Sequence, residues 1–190
     1  MATNKNKTKR LIFITGPPRM GKTTVLLKAV KELRARGYKL GGMISQEIRE
    51  KGVRVGFEIC DYASSRKGWL AHISQPVGPR IGKYRVNLDD LNLVGAAAIL
   101  NALKDADIVL IDEIGPMELF SGVFKDAVRK AVNNSKPVLG TIHYRAQNLL
   151  VKQIKSNENA EIIEVTHETR AWLPTLIIDK ILKFKKTENV

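Results

Sequence analysis

One cysteine, Cys60, is all that the 190-residue sequence contains, so no internal disulfide holds the fold and nothing calls for an oxidising compartment. Long apolar runs are missing too. The longest, residues 94–100, is interrupted by Gly95 and falls far short of the roughly 20 residues that a membrane-spanning helix requires. The opening Met-Ala-Thr-Asn-Lys-Asn-Lys-Thr-Lys-Arg has no apolar stretch of signal-peptide length. The expected compartment is the cytoplasm, with no membrane partner.

Aromatic residues make up 6% of the chain and are not interleaved with basic ones in any recognisable RNA-binding motif. Acids are also scarce: 19 Asp and Glu stand against 32 Lys and Arg, for a formal charge of +13. Much of that excess is terminal. Residues 1–10 hold Lys5, Lys7, Lys9 and Arg10 without an acid, and residues 180–190 hold Lys180, Lys183, Lys185 and Lys186 against Glu188. The two ends account for seven of the 13 charges, and basic tails generally just solvate a terminus. Nucleic-acid binding is thus left open without being demanded, and oligomeric state is not readable.

What is present is ordinary globular composition, 44% hydrophobic and 27% charged, which excludes disordered and collagen-like chains. The length fits one domain. The expected organisation is a basic N-terminal tail at 1–9, a single domain at 10–184 and a short C-terminal tail at 185–190.

Within that domain, short apolar runs alternate with amphipathic segments. Residues 11–15 are β-branched and aromatic, end at Gly16-Pro17-Pro18, and read as a buried strand. Residues 23–36 place Val25, Leu26, Ala29, Val30 and Leu33 on one face and read as a helix closed by Gly37. A second strand is expected at 40–45, followed by a hairpin over 47–60 around a Gly-containing turn. Residues 69–73 and 84–86 are weaker strand candidates, and 88–103 reads as a helix. Beyond that, strands at 107–112, 137–142 and 161–165 alternate with helices at 121–132, 147–154 and 170–184. The pattern predicts an α/β domain: a mostly parallel central sheet with helices on both faces and an added antiparallel hairpin.

Gly16-Pro17-Pro18-Arg19-Met20-Gly21-Lys22-Thr23 satisfies G-x-x-x-x-G-K-[ST] at every fixed position, after a strand and before a helix, as a P-loop requires. The spacing has a physical basis. Backbone N–H groups of the loop turn inward around a phosphate, and the helix that follows points its positive end at the same anion. Gly21 permits close backbone approach, Lys22 reaches the β and γ phosphates, and the hydroxyl of Thr23 is a ligand for Mg²⁺. Thr24 completes the expected phosphate cradle.

Ile108-Val109-Leu110-Ile111-Asp112-Glu113 places two acids at the end of a buried strand. Parallel α/β sheets bind ligands outside the carboxyl ends of their strands. Asp112 is the expected Walker-B partner of Mg²⁺. Glu113, directly after it, is the expected catalytic acid that orients and deprotonates an attacking water.

The segment from Asp112 to Ser121, Asp-Glu-Ile-Gly-Pro-Met-Glu-Leu-Phe-Ser, is longer than a generic Walker B. Together with the P-loop it resembles the small nucleoside-triphosphatases first described from thermophiles, whose vertebrate relatives are called cancer-related nucleoside-triphosphatases. The resemblance extends to Gly42, Glu47, Arg49, Gly52, Arg54, Gly56 and Phe57, to Arg80-Ile81-Gly82-Lys83-Tyr84, to Leu139-Gly140-Thr141-Ile142, and to Val165-Thr166 with Arg170. It implies a P-loop NTPase fold and Mg²⁺-dependent hydrolysis of ATP, GTP and other nucleoside triphosphates to diphosphate and phosphate, with little discrimination among bases. The nucleotide would be held by residues 16–24 and by Ile108, Val109, Leu110, Ile111, Asp112, Glu113, Ile114 and Gly115. The sequence departs from the family pattern at Pro116, where Lys is common, and at Thr169, where Asn precedes Arg170.

An arginine on the developing γ-phosphate charge is worth about 10³ to 10⁵ in kcat. Arg49, Arg54, Arg85, Arg145 and Arg170 are the candidates, with Arg49 and Arg54 slightly preferred. His72, His143 and His167 lack partners at metal-ligand spacing. Trp69, Trp172, Phe120 and Tyr144 read as core or groove residues. Two other readings share the fold. A small nucleoside, nucleotide or polynucleotide kinase would need a mobile basic lid, for which only Arg66-Lys67 and residues 80–85 qualify. An RNA-associated switch would draw on the basic excess.

Overall fold

The computed structural model describes residues 8–188. Most of the expected N-terminal tail and the last two residues lie outside that range. Among the described residues, nine strands form one sheet in the order β5-β6-β4-β3-β2-β7-β8-β1-β9. The parallel half holds β1 (Leu11–Thr15), the first part of β2 (Leu40–Glu50), β7 (Ile108–Ile114), β8 (Val138–Ile142) and β9 (Ala160–Glu164). The antiparallel half adds β3 (Val53–Asp61), β4 (Lys67–His72), β5 (Arg80–Ile81) and β6 (Tyr84–Val86) to the outer side of β2.

Strands of the parallel half are apolar at successive positions because helices cover both faces. Leu11 and Phe13 of β1 join a core with Met43, Val109, Ile111 and Val138, under α3 (Ala97–Asp105), α4 (Gly122–Asn133) and α5 (Leu149–Lys155). Ile12 and Ile14 face the opposite core with Leu40, Ile108, Leu110 and Leu139, beneath α1 (Lys22–Ala35) and α6 (Leu173–Glu188). The expected α/β class and two-sided cover are both present.

Three boundaries differ from the sequence reading, each for a local reason. The strand expected at 40–45 and the first arm of the hairpin are one 11-residue strand, β2, since neither Gly nor Pro separates them. β2 leaves the parallel sheet after Met43 and its remaining seven residues reach about 23 Å further at roughly 3.3 Å each. The helix expected at 88–103 is a single turn α2 (Leu88–Asp90), a π-helical stretch Leu91–Ala96, and α3. Gly95 lies in that stretch against Met43, whose sulfur would sit 2.8 Å from any Cβ there. Finally, α6 starts at Leu173 and not at Arg170, because Pro174 has no N–H to donate and belongs in a first turn. Thr166 and Thr169 exchange hydrogen bonds across the intervening turn, at 2.9 and 3.2 Å. α6 then continues through residues 185–188.

Candidate active site

β1, β8 and β7 lie side by side and end on the same edge of the sheet. The hydroxyl of Thr15 donates to the Ile142 carbonyl at 3.0 Å, tying the root of the P-loop to β8. Gly16 then turns with φ of 145°, so tightly that a Cβ would meet the Val165 carbonyl at 2.8 Å. Gly21 sits in the left-handed region at φ 92° and opens α1 without a side-chain cap or an acid in the first turn. The positive end of the helix is therefore left for an anion. Pro18, Arg19 and Thr24 are exposed, and Pro17 and Met20 are partly buried beside the loop.

Lys22 Nζ donates to the carbonyls of Gly16 and Pro17, at 3.1 and 3.3 Å. Its charge is felt by Asp112, Glu113 and His143. Asp112 is fully buried. Its Oδ1 accepts the Thr141 hydroxyl at 2.5 Å and the Thr23 hydroxyl at 3.5 Å, whereas the buried Oδ2 has no hydrogen-bond partner. Burial pushes this carboxyl up to about 6, the Thr141 hydroxyl opposes it, and the Glu113 charge adds to it. Glu113 is also raised by burial, with Lys22 pulling the other way. Among the described residues, no three His, Cys, Asp or Glu side chains converge as a metal cluster. The protein oxygens hydrogen-bonded together at this point are the Asp112 carboxylate and the hydroxyls of Thr23 and Thr141.

Thus Lys22, Thr23, Asp112 and Glu113, far apart in sequence, meet where the loop and β7 end. The rest of the expected Walker-B contacts are placed differently. Ile108, Val109, Leu110, Ile111 and Ile114 are completely buried in the two cores, so they hold the acids in place from within and present no side chain to a ligand. The Gly115 amide donates to Glu118 Oε2 at 3.1 Å.

The arginines separate into two groups. On the β2–β3 arm, Arg49 is held by Glu47 and the Gly52 carbonyl, and Arg54 by Glu47 and by the Tyr84 hydroxyl of β6. Arg54 also lies 5.2 Å from the Phe57 ring centroid, while Arg85 donates to the Gly78 carbonyl. The donors of Arg49 and Arg54 are thus engaged with these partners, and the P-loop follows a strand further across the sheet. Arg145 follows β8 beside His143. Arg170 lines a groove of ≈ 320 Å³ with Gly21, Thr24, Val25, Lys28 and Ala171.

Three residues of the site have no role in the sequence reading. Thr141 is the short hydrogen-bond donor to Asp112. His143 is half-buried next to β8, its ring held below the usual histidine range by burial and by Lys22 and Arg145; Nδ1 accepts the Arg145 amide at 3.3 Å, leaving the ring proton on Nε2. Glu118 is a buried acid. The signal for the first two is their place on and just after the 139–142 strand, whose end adjoins both motifs.

A P-loop at a helix start with two acids on the second strand over defines a P-loop nucleotide-binding protein of the hydrolase type. The comparison with known proteins narrows this. A family model described as NTPase matches residues 11–178, and the chain belongs to this NTPase family. It is 44% identical over 170 residues to the nucleoside-triphosphatase THEP1 of Thermofilum pendens, covering 89% of this chain and 93% of that one. The crystal structure of THEP1 from Aquifex aeolicus is similar with a TM-score of 0.80 at 31% identity, over 90% of this chain and 98% of the other. The solution structure of a human cancer-related nucleoside triphosphatase gives 0.74 at 32% identity, over 88% and 95%.

Proposed function

We infer that this protein is a nucleoside-triphosphatase that works with Mg²⁺ and selects weakly among bases. The observation that carries the reading is the meeting of Lys22, Thr23, Asp112 and Glu113 at one edge of the sheet. The buried Asp112 carboxylate, its Oδ2 unpartnered and its Oδ1 accepting the Thr23 hydroxyl, forms with that hydroxyl a hard-oxygen set that suits Mg²⁺. When bound, the ion neutralises charge on the β and γ oxygens.

The chain's own residues do the rest. Amides at the start of α1 hold the phosphates, and Lys22 exchanges its loop carbonyls for β and γ oxygens. Glu113 takes a proton from water as the water oxygen bonds to the γ phosphorus. The bond from that phosphorus to the bridging oxygen breaks, releasing the diphosphate. Neutral His143 beside Lys22 offers a donor without adding charge.

Strand order sets the direction of the substrate. The γ end belongs on the β7 side, so ribose and base point toward β9, where the groove between α1 and Arg170 lies. That groove is lined by a hydroxyl, two cations and small apolar residues, with no carboxylate or amide. Such a lining favours the face of a base and its phosphates over its hydrogen-bonding edge, which supports weak selection. Of the residues that could pass for a kinase lid, Lys67, Arg80, Ile81, Tyr84 and Arg85 are paired into strands β4, β5 and β6.

Phosphate release from ATP, GTP, CTP and UTP, with Mg²⁺ or with EDTA and without any acceptor, tests this reading. Release from all four within about a hundredfold, lost in EDTA, is expected, since apolar and stacking contacts discriminate by only about 1–3 kcal/mol. Label transfer to an added nucleoside or nucleotide with no free phosphate would establish a kinase instead.

A further inference from the structure

The segment after Glu113 is held unusually closely. The Ile114 carbonyl accepts the His143 amide at 3.1 Å, and the Gly115 carbonyl accepts the Leu119 amide at 3.0 Å. The remaining tie is a side chain, Glu118, whose Oε2 accepts the Gly115 amide at 3.1 Å. Glu118 is only 4% exposed, and a carboxyl is a costly group to bury even where the backbone amides of Glu118 itself and of Gly115 hydrogen-bond to it. Its location gives a reason for that cost. A Cβ added to Gly115 would lie 3.0 Å from Glu118 Oε2 and 3.2 Å from Glu113 Oε1, so both carboxyls close on the same face of this glycine.

We propose that Glu118 is a positioning residue for hydrolysis: by accepting the Gly115 amide it fixes the backbone that carries Glu113 and so aims the Glu113 carboxylate at the water. The proposal rests on the nucleoside-triphosphatase reading above. Glu118 does not touch substrate. Its neighbours Glu113 and Asp112 are both acids, and burial, with Glu113 adding to it, pushes its carboxyl up to about 8. At neutral pH it is therefore a neutral acceptor of fixed length, which glutamine can imitate and aspartate cannot reach.

Three variants separate reach from charge. Glu118→Ala and Glu118→Asp both lose the Gly115 bond, and misplacing a reacting group by about 1 Å costs on the order of a hundredfold. The expected result is a fall in kcat of about tenfold to a hundredfold for both, with affinity for a non-hydrolysable triphosphate in Mg²⁺ within about threefold of the natural protein. Glu118→Gln should recover kcat to within about threefold. Rates are normalised to the stoichiometry of nucleotide binding, so a partly unfolded variant does not count as a slow one.

The proposal is overturned if Glu118→Asp or Glu118→Ala turns over at the natural rate per binding site. It is equally overturned if Glu118→Gln is as slow as Glu118→Ala, or if affinity collapses together with kcat. Absence of phosphate release by the natural protein would instead refute the hydrolase reading, which the same assay shows first.

Discussion

The proposed mechanism gives Lys22 and Glu113 different stages, and single substitutions tell them apart. Removing the Lys22 ammonium deletes the charge-assisted bonds to phosphate, an interaction worth about 2–5 kcal/mol where it is desolvated. Lys22→Ala should therefore weaken triphosphate binding by roughly thirtyfold or more, read by titration with a non-hydrolysable analogue. Glu113→Gln keeps the shape and the neighbouring Lys22 but cannot take a proton. It should bind the same analogue normally while kcat falls by about 10² to 10⁴; normal turnover would remove Glu113 from the chemistry. Glu118 adds a prediction in pH. Its folded pKa of about 8 exceeds that of an unfolded glutamate, so the folded state binds the proton more tightly. Stability is full below the ordinary carboxylate range and declines as pH rises through about 8. Thermal midpoints from pH 5 to 9 should fall more steeply for the natural protein than for Glu118→Gln. Parallel curves would show that Glu118 does not titrate there.

Elements of this fold were legible in proportion to how local their causes are. The P-loop depends on a strand end, two glycines and a helix start within a few residues, and it appears in the structure with Gly16 and Gly21 both at positive φ. β7 was equally plain from its apolar run. By contrast, the pairing of Glu118 with Gly115 needs a short turn to bring an acid back under its own strand, and His143 matters only because β8 lies between β7 and β1. Neither relation is periodic, so the first leaves no trace in sequence and the second only the place of His143 just after a strand. The arginines show the same limit: their place in the hairpin marked Arg49 and Arg54, but on β2 and β3 they are engaged by Glu47 and Tyr84. Arg49→Ala and Arg54→Ala are accordingly expected to leave kcat within about threefold, since the pairs they lose are largely exposed and worth at most about 1 kcal/mol. A hundredfold loss in either variant would mean that the β2–β3 arm reaches the nucleotide during turnover.

At the scale of the whole molecule, the site lies across the junction between β1 with α1 and β7 with β8, and it contains groups that folding alone leaves ill-matched. Asp112 is buried with one oxygen unpartnered, and α1 begins without a cap. These features lower the stability of the chain by itself and are relieved by a cation and an anion together. A Mg²⁺-triphosphate complex should therefore stabilise the fold more than either component alone. At a hundred times its dissociation constant, a ligand that binds only the folded state contributes about 2.7 kcal/mol. In a domain of this size that corresponds to a rise in Tm of roughly 5–10 °C. Thermal scans with a non-hydrolysable triphosphate should show this rise with Mg²⁺, little of it in EDTA, and little with Mg²⁺ alone. Asp112→Asn should start from a higher Tm than the natural protein, because it buries no charge, yet gain less from the complex. If Asp112→Asn gains as much as the natural protein, the buried carboxylate is not what Mg²⁺ uses.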